Sequence, residues 1–186
     1  MTSQFYQVSE ELISFEKPQK PHESEWFILY TCPRAEKVVY HELVRRDYDA
    51  FLPMTKTLKV WRNRQKKLID EVLFPGYIFV NSHPCDLSYL VKIPKVVTYI
   101  QYAGNPSVIH FRKIEGIRKM LNLEQEVSVE TELYEGEKVT MVYGPMAGYE
   151  GILIKHNGRT RFGIQLKEIN RSVCIDIWTN NPEKVL

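Results

Sequence analysis

Residues 73–80 read Leu73-Phe74-Pro75-Gly76-Tyr77-Ile78-Phe79-Val80, and this stretch decides the architecture of the first part of the chain. The segment 76–81 (GYIFVN) is dense in strong β-formers and reads as a strand. Alternation sends Tyr77 and Phe79 one way and Ile78 and Val80 the other, so both faces are apolar. Residues 26–32 (WFILYTC) repeat the pattern, with Trp26, Ile28 and Tyr30 on one side and Phe27 and Leu29 on the other. Strands of this kind need cover on both faces. A domain with about three helices can leave one face partly open, and Tyr30, Phe74, Tyr77 and Phe79 would then form an aromatic patch suited to a protein partner. The plain alternative is that another part of the chain covers it.

Working outward, Pro33 sits where a helix starts, and 34–48 follow a helical period with Ala35, Val39 and Leu43 on one face. Residues 50–62 read as an extended segment whose Pro53 marks an edge or a bend. A second arm, 67–73, returns beside it as a hairpin. A short helix at 85–91, a strand at 96–102 and a helix at 111–121 follow. The order is β-α-β-β-β-α-β-α, an α+β domain with a mainly antiparallel sheet. Residues 1–24 mix charge with Pro18 and Pro21 and predict a mobile extension. Residues 123–135 are acidic and lack periodicity, which predicts a linker. Beyond it, β-branched segments recur at 137–143, 151–156, 160–167 and 172–178, separated by turn residues such as Gly144-Pro145 and Asn157-Gly158. Strands so short and so close can close into a small barrel, which removes exposed edges. The expected division is 1–24 extension, 25–122 first domain, 123–135 linker and 136–186 second domain.

Charge supplies the next clue. Residues 56–67 (KTLKVWRNRQKK) carry Lys56, Lys59, Arg62, Arg64, Lys66 and Lys67 and no acid, with Trp61 among them. On a hairpin tip these side chains project together, and a phosphate backbone is the matching partner. Six phosphate contacts would give a log–log salt slope of about −5. A solvated loop is the alternative. Arg34, Lys37, His41 and Arg45 are spaced three, four and four apart and fall within about one quadrant of the predicted helix. This is either an ordinary solvent face or, with the hairpin, part of one basic track.

The bulk properties exclude other classes. With 186 residues the chain buries roughly 70% of its unfolded surface and needs no staples. No apolar run approaches a membrane span, and the polar, acidic start resembles neither a signal nor a transit peptide. Cys32, Cys85 and Cys174 are far apart and odd in number, which fits a reduced, cytoplasmic compartment. The histidines (His22, His41, His83, His110, His156) are scattered, and His83-Pro84-Cys85 reads as a turn rather than a metal site. Gly144, Gly148 and Gly151 precede a strand, so they make no phosphate loop. No catalytic residues, cofactor or metal are expected, and the chain reads as a non-enzymatic binding protein.

Taken together, Trp26-Phe27, Leu73 through Val80 and Pro94-Lys95-Val96 resemble the N-terminal domain of NusG-type transcription elongation factors, and Gly136 through Gly151 resemble their KOW domain. The resemblance covers about residues 26–186. It implies an NGN-like four-stranded antiparallel sheet flanked by helices, then a five-stranded SH3-like barrel. It implies binding to the β′ clamp helices of RNA polymerase through Tyr30, Phe74, Pro75, Tyr77 and Phe79, and suppression of pausing and termination. The chain is most similar to specialised antiterminators of the RfaH and UpxY type, which act on selected operons, often for surface polysaccharides. Leu52-Pro53-Met54 and the Trp61-containing hairpin carry that similarity. Arg45 and Lys95 match positions that contact non-template DNA. A lysine expected after the first strand is replaced by Cys32-Pro33, so no DNA specificity carries over. Ser88, Tyr89 and Leu90 stand where the family touches the polymerase β gate loop.

For the KOW domain the resemblance implies a small-subunit ribosomal protein or the termination factor Rho as partner, through Ile169, Asn170 and Arg171. The glycines and β-branched residues of this domain disfavour the refolding into a helical hairpin seen in RfaH. A monomer with no membrane association is expected. The alternatives are a general elongation factor of the same family and a ribosome-associated KOW protein.

Overall fold

The computed structural model describes residues 24–61, 64–123, 125–131, 137–142, 144–156 and 159–177. The extension expected over 1–24 lies almost wholly outside them. The chain runs β1 (Glu25–Thr31), α1 (Glu36–Arg45), β2 (Asp49–Phe51), β3 (Met54–Val60), β4 (Lys66–Val72), β5 (Tyr77–Ser82), α2 (Leu87–Leu90), β6 (Val96–Tyr99), β7 (Gln101–Tyr102), β8 (Asn105–Pro106), β9 (Val108–Ile109) and α3 (Phe111–Leu121). It continues with β10 (Val127–Glu130), β11 (Glu137–Thr140), β12 (Glu150–His156), β13 (Arg159–Leu166) and β14 (Arg171–Asp176).

The first sheet has the order β2-β5-β1-β6, with β9 also on β1, and every pairing is antiparallel. The strand expected over 96–102 is thus broken after Tyr99. β6 pairs with the Leu29–Thr31 end of β1 and β9 with Trp26 and Phe27, while the β7–β8 hairpin bulges out between them. Both faces of β1 and β5 are covered, as their alternation requires. Phe27, Leu29, Ile78 and Val80 pack with Val39 and Leu43 of α1 and with Leu87, Leu90 and Ile93. Trp26, Ile28, Phe74 and Phe79 pack with Ile114, Ile117 and Met120 of α3. Pro53 falls in the break between β2 and β3, where a missing N–H costs no ladder bond.

The second sheet has the order β10-β14-β13-β12-β11, again antiparallel. Its first strand corrects the linker reading. Residues 123–135 contain β10, whose Val127 and Val129 pack on the apolar cluster while Glu130 pairs with Arg161 at 2.8 Å. The acids that made the segment look like a linker include a partner for a half-buried arginine. Phe162, Ile164, Leu166, Val173 and Ile175 of this sheet join the same cluster as α3, so the second sheet is docked on the first unit.

Cys174 is fully buried, and burial pushes its thiol up to about 11. The folded pKa lies above the reference value of 9.0, so the neutral thiol favours the fold below that pH, and the advantage is lost as pH rises through 11. A thiolate-directed reagent at pH 8 is expected to label exposed Cys85 first and half-buried Cys32 next. Cys174 should label only as fast as the second sheet opens. Mass spectrometry of timed samples checks this, and early Cys174 labelling would contradict the packing.

Candidate partner and nucleic-acid interfaces

The register puts Tyr30 opposite Tyr77 and Ile28 opposite Phe79, so Tyr30, Tyr77 and Phe79 share a face, as alternation requires. Their environments differ along it. Phe79 is 0% exposed and Phe74 is 1% exposed. They meet edge-on at 5.8 Å, with Phe51 at 6.0 Å from Phe79. The expectation that both rings present themselves to a partner is corrected: α3 and Phe51 cover that end of the face, and both belong to the core. At the other end Tyr30 is 38% exposed, Pro75 is exposed and Tyr77 is half-buried. The two tyrosine rings lie 5.5 Å apart.

A turn holds this end. Tyr77 N–H donates to the Phe74 carbonyl at 3.0 Å, with Pro75 second and Gly76 third at φ +85°. These are the residues a type II turn requires. The Tyr30 ring lies over Gly76, where a Cβ would come within 3.1 Å of Tyr30 Cε2. Gly76 N–H donates to Glu36 Oε1 at 2.7 Å. Sequence reasoning missed Glu36, because an acid in the first turn of a helix reads as a complement to the helix dipole.

The basic stripe is partly rearranged. Lys37, His41 and Arg45 lie exposed on α1. Arg34 does not belong to the helix; it occupies the preceding turn at φ +63°. Proline at position 33 is followed by that turn, and the helix begins at Glu36. Arg45 and Arg46 both bond Glu42, at 2.7 Å each, and these bonds hold its carboxyl down to about 2. One carboxylate is thus shared between two guanidinium groups, so that end of the helix keeps a net positive charge.

Among the described residues the β3–β4 hairpin pairs with no other strand. Lys37 Nζ donates to the Asp70 carbonyl at 3.2 Å, so α1 and the hairpin base touch, as a single track needs. Lys56 stands opposite Asp70 in the register, which places the acids near the base. Toward the tip, Arg64, Lys66 and Lys67 are exposed and Trp61 is 59% exposed. The register sets Lys59 opposite Lys67; Arg62 lies outside the described residues. Lys95 is exposed in a turn at φ +75°, its carbonyl bonded by Cys32 N–H at 2.8 Å. That turn leads into β6 beside the open end of β1.

Elsewhere, Ser88 and Tyr89 are exposed while Leu90 is core, and Lys92 sits over the Tyr89 ring at 5.0 Å. His83 caps its turn by accepting from Cys85 N–H at 3.3 Å, the structural role expected of that triplet. In the second sheet Ile169 is buried, which corrects its reading as a contact residue: it packs with Leu166 and Val173 in the apolar cluster. Asn170 is exposed at φ +52°, and half-buried Arg171 donates to the Thr131 carbonyl at 3.4 Å.

A family model described as "Transcription termination factor nusG" matches residues 24–118, the first sheet with its three helices. The chain belongs to the NusG family. Among curated members of the NusG family, the "Transcription termination/antitermination protein NusG" of Pseudomonas aeruginosa is 25% identical over 173 residues, covering 86% of this chain and 98% of that protein. The protein of the same name from Streptococcus pyogenes is 30% identical over 144 residues, covering 70% of this chain and 79% of that one. A solved chain described as "Domain interaction in Thermotoga maritima NusG" has a TM-score of 0.48 and 18% identity, covering 85% of this chain and 95% of that chain. As a NusG-family member, this protein is a transcription termination/antitermination factor. No helix among the described residues is long and apolar enough to cross a membrane.

Proposed function

We propose that this NusG-family factor binds RNA polymerase on the β′ clamp helices through the Tyr30, Pro75 and Tyr77 end of its first sheet, and so suppresses pausing and termination. The observation that carries this reading is the open aromatic end itself: two tyrosines 5.5 Å apart beside a rigid proline turn, on a face otherwise closed by α3. Rigid aromatic anchors of this kind dominate many interfaces. The mechanism is a population shift: a factor that binds the closed clamp better than the open one disfavours the paused state, and about 1.4 kcal/mol of preference changes that equilibrium tenfold. Ser88 and Tyr89 are the exposed candidates for the β gate loop. The second sheet, β10 to β14, acts as a KOW domain that recruits a second partner, a small-subunit ribosomal protein or Rho, through the Asn170–Arg171 turn. Capture of polymerase by Tyr30→Ala/Tyr77→Ala variants tests the clamp contact.

The basic hairpin is the feature that favours a specialised antiterminator over a general elongation factor, because the clamp contact alone serves any gene. Its tip reaches upstream or non-template DNA, with Lys95 and the α1 stripe as further contacts. Reversing Arg64, Lys66 and Lys67 to Glu should flatten the log–log salt dependence of DNA binding by about 2 to 3 units, at about 0.9 per phosphate. A slope equal to the parent's would refute the hairpin contact. Genome-wide run-on profiles after deletion should change at a few operons; changes at most genes would favour the general role.

A further inference from the structure

The turn at Phe74-Pro75-Gly76-Tyr77 closes through its own Tyr77-to-Phe74 bond, and the Gly76 N–H and C=O take no part in that closure. Gly76 is buried, so each group needs a partner. The carbonyl accepts from Thr31 N–H at 2.8 Å and from the Thr31 hydroxyl at 3.4 Å. The N–H donates to Glu36 Oε1 at 2.7 Å. Gly76 is therefore gripped on both sides, by β1 and by the start of α1.

Glu36 is a costly residue to put there. It is 5% exposed, and a buried carboxylate is tolerated only with strong compensation. The first turn of α1 supplies part of it, since the helix N-terminus favours negative charge. The charge-assisted bond to Gly76, forty positions along the chain, supplies the rest. An apolar residue would fill the same space without that cost, but it would leave the Gly76 N–H buried and unpaired.

We propose that Glu36 is a positioning residue for partner binding: its carboxylate fixes the turn so that Pro75 and Tyr77 stand in register with Tyr30 before the partner arrives. This rests on the reading that polymerase docks at that end of the sheet. Pre-ordering removes a cost that binding would otherwise bear.

Three variants test it. Glu36→Met keeps the chain length and removes the acceptor, Glu36→Asp keeps the charge but shortens the reach, and Glu36→Gln keeps both reach and an acceptor oxygen. Amide exchange at Gly76 reads the clamp, and polymerase affinity reads its use. Glu36→Met and Glu36→Asp should speed Gly76 exchange and weaken polymerase binding by about tenfold or more, the amount one charge-assisted hydrogen bond carries. Glu36→Gln should hold both within about threefold, since the neutral bond remains. A folded Met or Asp variant with fast Gly76 exchange and parent affinity overturns the proposal while Tyr30→Ala/Tyr77→Ala still abolishes capture. If the tyrosine variant binds like the parent, the docking reading fails, and the proposal falls with it.

Discussion

Tyr77→Ala combined with Tyr30→Ala is expected to weaken polymerase binding by roughly 30-fold or more, as loss of a hot spot worth ~2 kcal/mol does, while the chain stays folded. Phe79→Ala is expected to do the reverse. Phe79 is fully enclosed by Phe51, Phe74 and the α3 side of the core, so truncation leaves a cavity and should cost about 3 to 5 kcal/mol of stability. The tyrosines are partly exposed, and losing their ring–ring contact costs about 0.5 to 1.5 kcal/mol beyond the area lost. Denaturant titration followed by far-UV circular dichroism separates the two classes, and polymerase affinity is measured only on variants whose midpoint shows them folded. A double tyrosine variant with parent affinity would remove the proposed contact. A Phe79→Ala variant as stable as the parent would contradict the core packing.

The contrast marks what the sequence could and could not convey. Period-2 alternation located the aromatic face, and the register confirms that Tyr30, Tyr77 and Phe79 share it. Alternation cannot tell which end of a face is covered. That depends on where α3 lands, and α3 lies about thirty residues beyond Phe79 in the chain. Glu36 was illegible for the same reason: its partner is a backbone amide, which has no residue type to recognise. In β10 the two signals competed. Val127 and Val129 alternate correctly, but Glu126 and Glu130 gave the segment a linker's composition. The Arg161 side chain across the sheet gives an acid at Glu130 its reason. Local signals placed α1, α3 and β11 to β14 well, because caps, turns and β-branched runs act within a few residues of themselves.

Gly116 is the clearest case of a residue whose reason is tertiary, and it carries the second large effect. Glycine inside a helix costs about 1 kcal/mol relative to alanine, yet Gly116 stands in the middle of α3. A Cβ there would come 2.5 Å from Ile164 Cδ1 and 3.1 Å from the Tyr149 ring, so the second sheet approaches the helix backbone directly. Polar contacts flank the approach: Lys113 and Glu168 lie 3.5 Å apart, and Lys119 sits 5.3 Å from the Tyr149 ring centre. A partly exposed ion pair contributes about 0 to 1 kcal/mol, so Glu168→Gln should change docking little. The apolar approach dominates. Gly116→Ala should be close to neutral, because Ile164 can swing a terminal methyl while the helix gains its propensity. Gly116→Gln adds a side chain that neither Ile164 nor Tyr149 can accommodate, and an amide with no partner in an apolar contact. Although glutamine is the better helix former, this variant should split one calorimetric transition into two and raise the radius of gyration as the second sheet swings free. A single transition at the parent temperature, with an unchanged radius, would show that the two units are not held together through α3.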